Sequence, residues 1–267
     1  MNRKRQYPVI ITGTGPGNPE LLTVKAGKAI RKADVILYDC MPAHYVLELK
    51  GRNTEVIALC KNHEAGDGEQ VKHLEDIIDH LEECYRSGRR IVRLKAGDPF
   101  MYGGAGIEAR MLAARQVPFE IIPGLTAAAA ASSLYGISIS EKYETDMVIY
   151  YIAFKIDDNY LQIRQIAASL KVGATLVLYM ADDNLAEIFE VLKEEGVPGS
   201  MPVVVAGMVS LPDEDCAEAT IETIREVVLS KEMLMPFTYF IGYHVSASVK
   251  ERIKMPQRGP AFQEGKC

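Results

Sequence analysis

Apolar and polar residues alternate along this chain in a way that predicts short buried strands separated by amphipathic helices. Tyr7 to Gly13 is an apolar run that stops at glycine and reads as a buried strand. A Gly/Pro-rich turn, Thr14 to Pro19, follows, and then helical spacing from Leu21 to Lys32. Val35 to Tyr38 and Thr54 to Leu59 predict two more strands. Glu69 to Gly88 predicts a helix with Leu74, Ile77, Ile78 and Leu81 on one face and a glycine stop. Arg90 to Leu94 reads as a strand, Gly106 to Arg115 as a helix and Phe119 to Ile122 as a strand ending at Pro123-Gly124.

The pattern then restarts. Thr126 to Tyr135 is a helix of small residues, and Met147 to Ile152 a strand. Tyr160 to Leu170, Leu185 to Glu195 and Ile221 to Leu229 read as helices. Thr175 to Met180, Pro202 to Val209 and Phe237 to Ile241 read as strands. This alternation predicts α/β architecture with a mostly parallel sheet and helices on its faces. The restart places a domain boundary near residues 124 to 140. Residues 1–124 and 125–246 are then two α/β domains, and 247–267 a loosely ordered tail.

Composition narrows the class. The chain has 267 residues, 48% hydrophobic and 25% charged, which suits one large or two smaller globular domains. No run approaches the roughly 20 apolar residues of a membrane span, so no membrane partner is expected. Met1 to Tyr7 is basic and runs straight into a strand without an apolar leader segment, so no signal peptide is expected. Five cysteines (Cys40, Cys60, Cys84, Cys216, Cys267) are scattered without a CxxC pair, which points to free thiols in the cytoplasm. The net charge of −6 argues against a general nucleic-acid binder. The five histidines show no metal spacing, and neither GxSxG nor GxxxxGK[ST] occurs.

Four features carry candidate chemistry. Thr12-Gly13-Thr14-Gly15-Pro16-Gly17-Asn18-Pro19 imitates a dinucleotide loop. However, Asn18 stands where the third glycine belongs, and Pro16 has no N–H for a phosphate. Its glycines leave room for a bulky ligand against the backbone, or simply make a tight turn. Arg93 to Phe100 (RLKAGDPF) ends a strand in a Gly-rich loop, the place where ligands bind in open α/β sheets; Asp98 there is a candidate acceptor for a ribose or amino group, or an Asp-Pro turn residue. Pro123 to Ala131 feeds a helix of tiny residues with Thr126 as N-cap, which suits a close ligand or a close helix. Asp39 and Lys61 each follow a predicted strand at the same sheet edge, where they could exchange protons or be solvated strand-end charges.

Together these segments resemble the tetrapyrrole methylase family over about residues 8 to 245. The markers are GTGPGNPELLTVKAGKAI, ADVILYD, RLKAGDPF, IIPGLTAAAA, TLVLYM and MPVVV, in the family's order. The resemblance is strongest to the branch that methylates uroporphyrinogen III at the entry to sirohaem and cobalamin synthesis. It implies two α/β domains with a cofactor cleft between them, a homodimer, a small-molecule tetrapyrrole substrate, and S-adenosylmethionine as methyl donor with S-adenosylhomocysteine as product and no metal. By position it implies cofactor contacts at Pro16, Ala96, Gly97, Asp98, Met101, Thr126, Ala127 and Met180. It also implies Asp39 as proton acceptor and Lys61 as proton donor.

The chain departs from that branch on the substrate side. Cys40 stands where the branch has an arginine, Tyr102-Gly103-Gly104 where it has an Arg after FG, and Ser140-Glu141-Lys142 where it has Thr-His-Arg. The acceptor therefore stays open between uroporphyrinogen III and another precorrin. A NAD-dependent oxidoreductase and a binding protein that has lost its substrate site are the competing readings.

Overall fold

Central strands of a parallel sheet are buried on both faces and are mostly apolar, and five short, mainly apolar stretches build the first sheet. They are β1 (Val9–Gly13), β2 (Val35–Asp39), β3 (Glu55–Leu59), β4 (Ile91–Lys95) and β5 (Phe119–Ile122). A computed structural model describes residues 6–39, 43–59, 67–154 and 159–245, with side chains from 73 onward in the second helix. The sheet order is β3-β2-β4-β1-β5, every neighbouring pair being parallel. Parallel strands need crossovers; helices α1 (Val24–Lys32), α2 (Asp67–Ser87) and α3 (Ala105–Ala114) supply three of them, and a 3-10 segment, Ala43–Leu49, lies in the one between β2 and β3.

α1 begins at Thr23, whose hydroxyl accepts from the Ala26 amide at 3.1 Å. The spacing had predicted a helix from Leu21, but a 3-10 turn occupies Pro19–Leu21 and the Thr23 cap sets the later start. Ile30 and Ala33 of this segment pack with Ile36, Val92 and Leu94 on one face of the sheet. α2 and α3 cover the other face through Ile77, Ile78, Leu81 and Leu112, against Val9, Ile11, Val35, Leu37 and Ile91.

The second sheet contains β6 (Val148–Ile152), β7 (Thr175–Tyr179), β8 (Pro202–Gly207), β9 (Asp215–Thr220) and β10 (Phe237–Ile241), in the order β6-β7-β10-β8-β9. Only β6 and β7 are parallel; the other three pairs are antiparallel. This corrects the expectation of a mostly parallel arrangement for the second half. The physical reason is β9, an edge strand of sequence DCAEAT whose small and charged residues carry no strand signal. It lets β8 turn straight back on itself without a helical crossover. Helices α4 (Ala127–Tyr135), α5 (Leu161–Lys171), α6 (Leu185–Glu194) and α7 (Ile224–Ser230) complete the chain. Ile163, Leu170, Ile188 and Leu192 pack on Leu176, Val203, Val205 and Ile241 to form the second core.

The described residues form two compact units. One holds the chain through Ala130 together with Met208–Glu214, and the other holds the remainder. Within the first unit, the Asn18 amide donates to the Ser210 hydroxyl at 3.2 Å. Among the described residues no helix is long and apolar enough to cross a membrane. Cys84 and Cys216 are both buried, and burial raises the Cys84 thiol above its ordinary value.

Candidate active site

In the first unit, β1 and β4 are neighbours, yet the helix after β1 covers one face and the helix after β4 covers the other. The chain therefore leaves the two strands toward opposite faces of the sheet at their carboxyl ends, the switch point at which open α/β sheets form a ligand crevice. Backbone bonds hold the loops after β1 and β4 in register. The Thr14 amide donates to Lys95 O at 2.8 Å, the Gly15 amide to Gly97 O at 3.2 Å, and the Gly97 amide to Gly15 O at 2.9 Å. Gly15 and Gly97 sit at φ of 66° and 64°, which glycine adopts without strain.

A third loop, after β5, closes against these two. A β-carbon on Gly13 would lie 2.4 Å from Gly97 O, and one on Gly124 would lie 2.1 Å from the same atom. Both positions therefore require glycine. Asp98 ties this bundle together: one carboxylate oxygen accepts from the Phe100 amide at 2.9 Å and the Met101 amide at 3.2 Å, and the other accepts from the Gly124 amide at 3.0 Å. The sequence suggested Asp98 as an acceptor for a ligand. In the structure its two oxygens are engaged with three main-chain amides, which fixes the loop shape.

Of the predicted contacts, Pro16, Ala96, Gly97, Asp98, Met101 and Thr126 lie on these three loops, and Ala127 opens α4 directly after the third. Pro16 is buried and Ala96 exposed. Thr126 caps α4 as its sequence suggested, its hydroxyl accepting from the Ala129 amide at 3.2 Å. Met180 belongs to the second unit. It follows β7 with a left-handed φ of 52°, a strained conformation for a non-glycine residue, and the residue is 54% exposed. Two residues on, Asp182 accepts from the Tyr239 hydroxyl at 3.1 Å and anchors that turn. Burial raises both groups, the Asp182 carboxyl and the Tyr239 hydroxyl, above their ordinary values. Lys142 lies over the Tyr143 ring at 4.7 Å on an exposed turn of the same unit.

Asp39, at the end of β2, is part of a buried ionic cluster. Alternation along β4 puts Arg93 and Lys95 on one face, and Leu37 pairs with Arg93, so Asp39 lies alongside Lys95. α3 lowers Glu108 onto that face. Arg93 Nη2 donates to the two Asp39 oxygens at 2.8 and 3.0 Å and to Glu108 Oε1 at 3.1 Å; Arg93 Nε donates to Glu108 Oε2 at 3.3 Å. Lys95 Nζ donates to Asp39 at 3.1 Å and to Glu108 at 2.8 Å. The Arg93 side chain is fully enclosed, those of Lys95 and Glu108 are 3% exposed, and that of Asp39 is 19% exposed. Burial works against the Arg93 charge, but Glu108 and Asp39 outweigh it and hold the guanidinium above its ordinary value.

Sequence reasoning singled out Asp39 but missed Arg93, Lys95 and Glu108 as its partners. The available signal was two cations two residues apart in an otherwise apolar strand. Lys61, the other predicted catalytic residue, lies outside the described residues.

The sequence matches the family described as Tetrapyrrole (Corrin/Porphyrin) Methylases over residues 8–225. It is 34% identical to uroporphyrinogen-III C-methyltransferase of Bacillus subtilis (strain 168) over 244 residues, 91% of this chain and 92% of that one. It is 33% identical to siroheme synthase of Actinobacillus pleuropneumoniae serotype 3 (strain JL03) over 235 residues, 88% of this chain but only 46% of that longer protein. A solved uroporphyrin-III C-methyl transferase from Thermus thermophilus, complexed with S-adenyl homocysteine, is similar with a TM-score of 0.71 and 26% identity, covering 90% of this chain and 99% of that one. A cobalt precorrin-4 methyltransferase shares the fold with a TM-score of 0.77 at 23% identity, covering 89% of this chain and 95% of that one.

Proposed function

This chain belongs to the tetrapyrrole (corrin/porphyrin) methylases, and on that premise we propose that it methylates ring carbons of uroporphyrinogen III, using S-adenosylmethionine as donor. The observation that carries this reading is the switch-point crevice lined by the loops after β1, β4 and β5. A β-carbon placed on Gly97 would meet its nearest atom only at 3.9 Å, and one on Gly104 would meet nothing within 4 Å. The backbone at these two positions is thus open to a bulky nucleoside thioether. Pro16, Ala96, Gly97, Asp98, Met101, Thr126 and Ala127 would hold it.

The bound donor supplies a methyl group already activated on a sulfonium. The protein's own task is alignment, which in well-oriented reactions contributes about 7–11 kcal/mol of the barrier. Asp98 acts by holding the crevice in shape, because its carboxylate spans two of the three loops. Asp39 is the proposed proton acceptor toward the macrocycle, and Lys61 is the proposed proton donor. The working protein is a homodimer in the cytoplasm, acting on a small tetrapyrrole.

Calorimetric titration with S-adenosylhomocysteine tests the donor half of this reading. Wild type should bind, and Gly97→Val should lose binding, with thermal melting as the control for folding. Absence of binding by folded wild type refutes the assignment.

A further inference from the structure

The connection between β8 and β9, Met208–Glu214, belongs to the first unit, although both strands belong to the second. Connections between strands ordinarily run over the surface. In this one Met208, Val209, Ser210 and Leu211 are all buried. Met208 and Ser210 also take left-handed φ values of 46° and 67°, which residues with a β-carbon keep only where their surroundings enforce it. We propose that Ser210 is a positioning residue for the methyl donor, acting through Asn18 on the loop after β1. This inference rests on the methyl-transfer reading above and extends the donor's support to a residue far along the chain.

The loop after β1 is pinned at its start by the paired bonds between Gly15 and Gly97, and at its end by the Thr23 cap of α1. Asn18 stands between. Its side chain accepts from the Glu20 amide at 2.9 Å, and its own amide donates to the Ser210 hydroxyl at 3.2 Å. Ser210 is fixed in turn. Its amide donates to Glu214 Oε2 at 2.9 Å, and the Leu211 amide donates to Met208 O at 2.9 Å. Gly207 pairs with Asp215 and closes the connection at its base. Pro16, a proposed donor contact, is joined to Asn18 through Gly17, whose φ is 132°. Glycine is the freest link a chain has, so the anchor beyond it decides how Pro16 is presented.

The consequence falls on affinity more than on chemistry. A loop already held in its binding shape loses little freedom when the donor arrives, whereas a released loop must be ordered at that moment. A main-chain amide deprived of its acceptor in a partly buried place also moves to find another, and Asn18 would carry the loop with it. Ser210 therefore acts on the donor through Asn18 and takes no part in the transfer itself. The strain at Met208 and Ser210 has a use on this view: it aims the hydroxyl at Asn18 from a connection that β8 and β9 hold rigid.

The test uses two variants of the full chain. Ser210→Ala removes the hydroxyl and keeps a β-carbon at the left-handed φ; Ser210→Gly removes the hydroxyl and relieves the backbone, so it should melt higher than Ser210→Ala. In calorimetric titration both should bind S-adenosylhomocysteine about 3- to 10-fold more weakly than wild type, the worth of one hydrogen bond. With uroporphyrinogen III in excess, the KM for S-adenosylmethionine should rise more than kcat falls. In protein carrying nitrogen-labelled asparagine, the Asn18 amide signal, assigned through Asn18→Asp, should exchange with solvent faster in both variants. Wild-type affinity in both folded variants overturns the proposal. So does weakening in Ser210→Ala alone, in step with its melting temperature, or an unaltered Asn18 amide. If wild type binds no S-adenosylhomocysteine, the function reading fails, and the Asn18 exchange still decides whether Ser210 anchors the loop.

Discussion

Replacing Glu108 with alanine removes one of the two carboxylates from a cluster that is sealed from water. In the wild type its oxygens accept from Arg93 at 3.1 and 3.3 Å and from Lys95 at 2.8 Å. After the change, Arg93 and Lys95 face Asp39 alone and the buried site carries an excess positive charge. Removing one partner of a buried pair costs about 3–5 kcal/mol. At about 2–4 °C per kcal/mol for a protein of this size, the melting temperature should fall by about 6–20 °C. Removing one charge of each sign tells the origin of that loss. Lys95→Met with Glu108→Met leaves Arg93 paired to Asp39 and restores neutrality, so the double variant should be more stable than Glu108→Met alone. Differential scanning calorimetry of the single and double variants gives the coupling, which should exceed about 1 kcal/mol, as expected for residues in one network. A single-variant cost below about 1 kcal/mol, the range of exposed surface pairs, would refute the reasoning, as would additive effects in the cycle.

Three further outcomes follow from the same geometry. Gly124→Ala places a β-carbon 2.1 Å from Gly97 O and should destabilise by about 1–3 kcal/mol in a chemical melt, with weaker S-adenosylhomocysteine binding. The Asp34 carboxyl is held below 3.8, chiefly by its hydrogen bond from Arg90, so its contribution is present above that pH and lost as pH falls through the lower folded value; Asp34→Asn should flatten the acid side of the stability profile by under about 1 kcal/mol, because the pair is exposed. Asp182 is shifted the other way, above 3.8 by burial, so stability is lost as pH rises through its folded value. Asp182→Asn keeps an acceptor for the Tyr239 hydroxyl without a buried charge and should melt higher at about pH 7, the gain shrinking in acid.

The strands of the first sheet were legible because each is a short, mainly apolar run closed by a turn signal, a pattern that burial enforces most strongly in the central β1, β2 and β4. β9 was not, because Asp215 to Thr220 pairs only with β8 and contributes little apolar burial beyond Cys216 and Ala217. Its absence from the reading is also why the second sheet was expected to be mostly parallel. The loops of the crevice could be located from their glycines. The role of Asp98 was only partly visible: its bonds to the amides two and three residues on are local, but its bond to Gly124 is a tertiary pairing. Glu108 illustrates the limit of local reading. An acidic residue in the first turn of a helix reads as a partner of the helix dipole. Only the packing of α3 on β4 turns it into the counter-ion of Arg93 and Lys95.

Incubating the protein anaerobically with S-adenosylmethionine and uroporphyrinogen III, and reading the oxidised products by mass spectrometry, tests the central claim most directly. The account predicts methyl additions to the macrocycle together with S-adenosylhomocysteine release. An unmodified macrocycle, from protein that binds S-adenosylhomocysteine, would contradict uroporphyrinogen III as the acceptor.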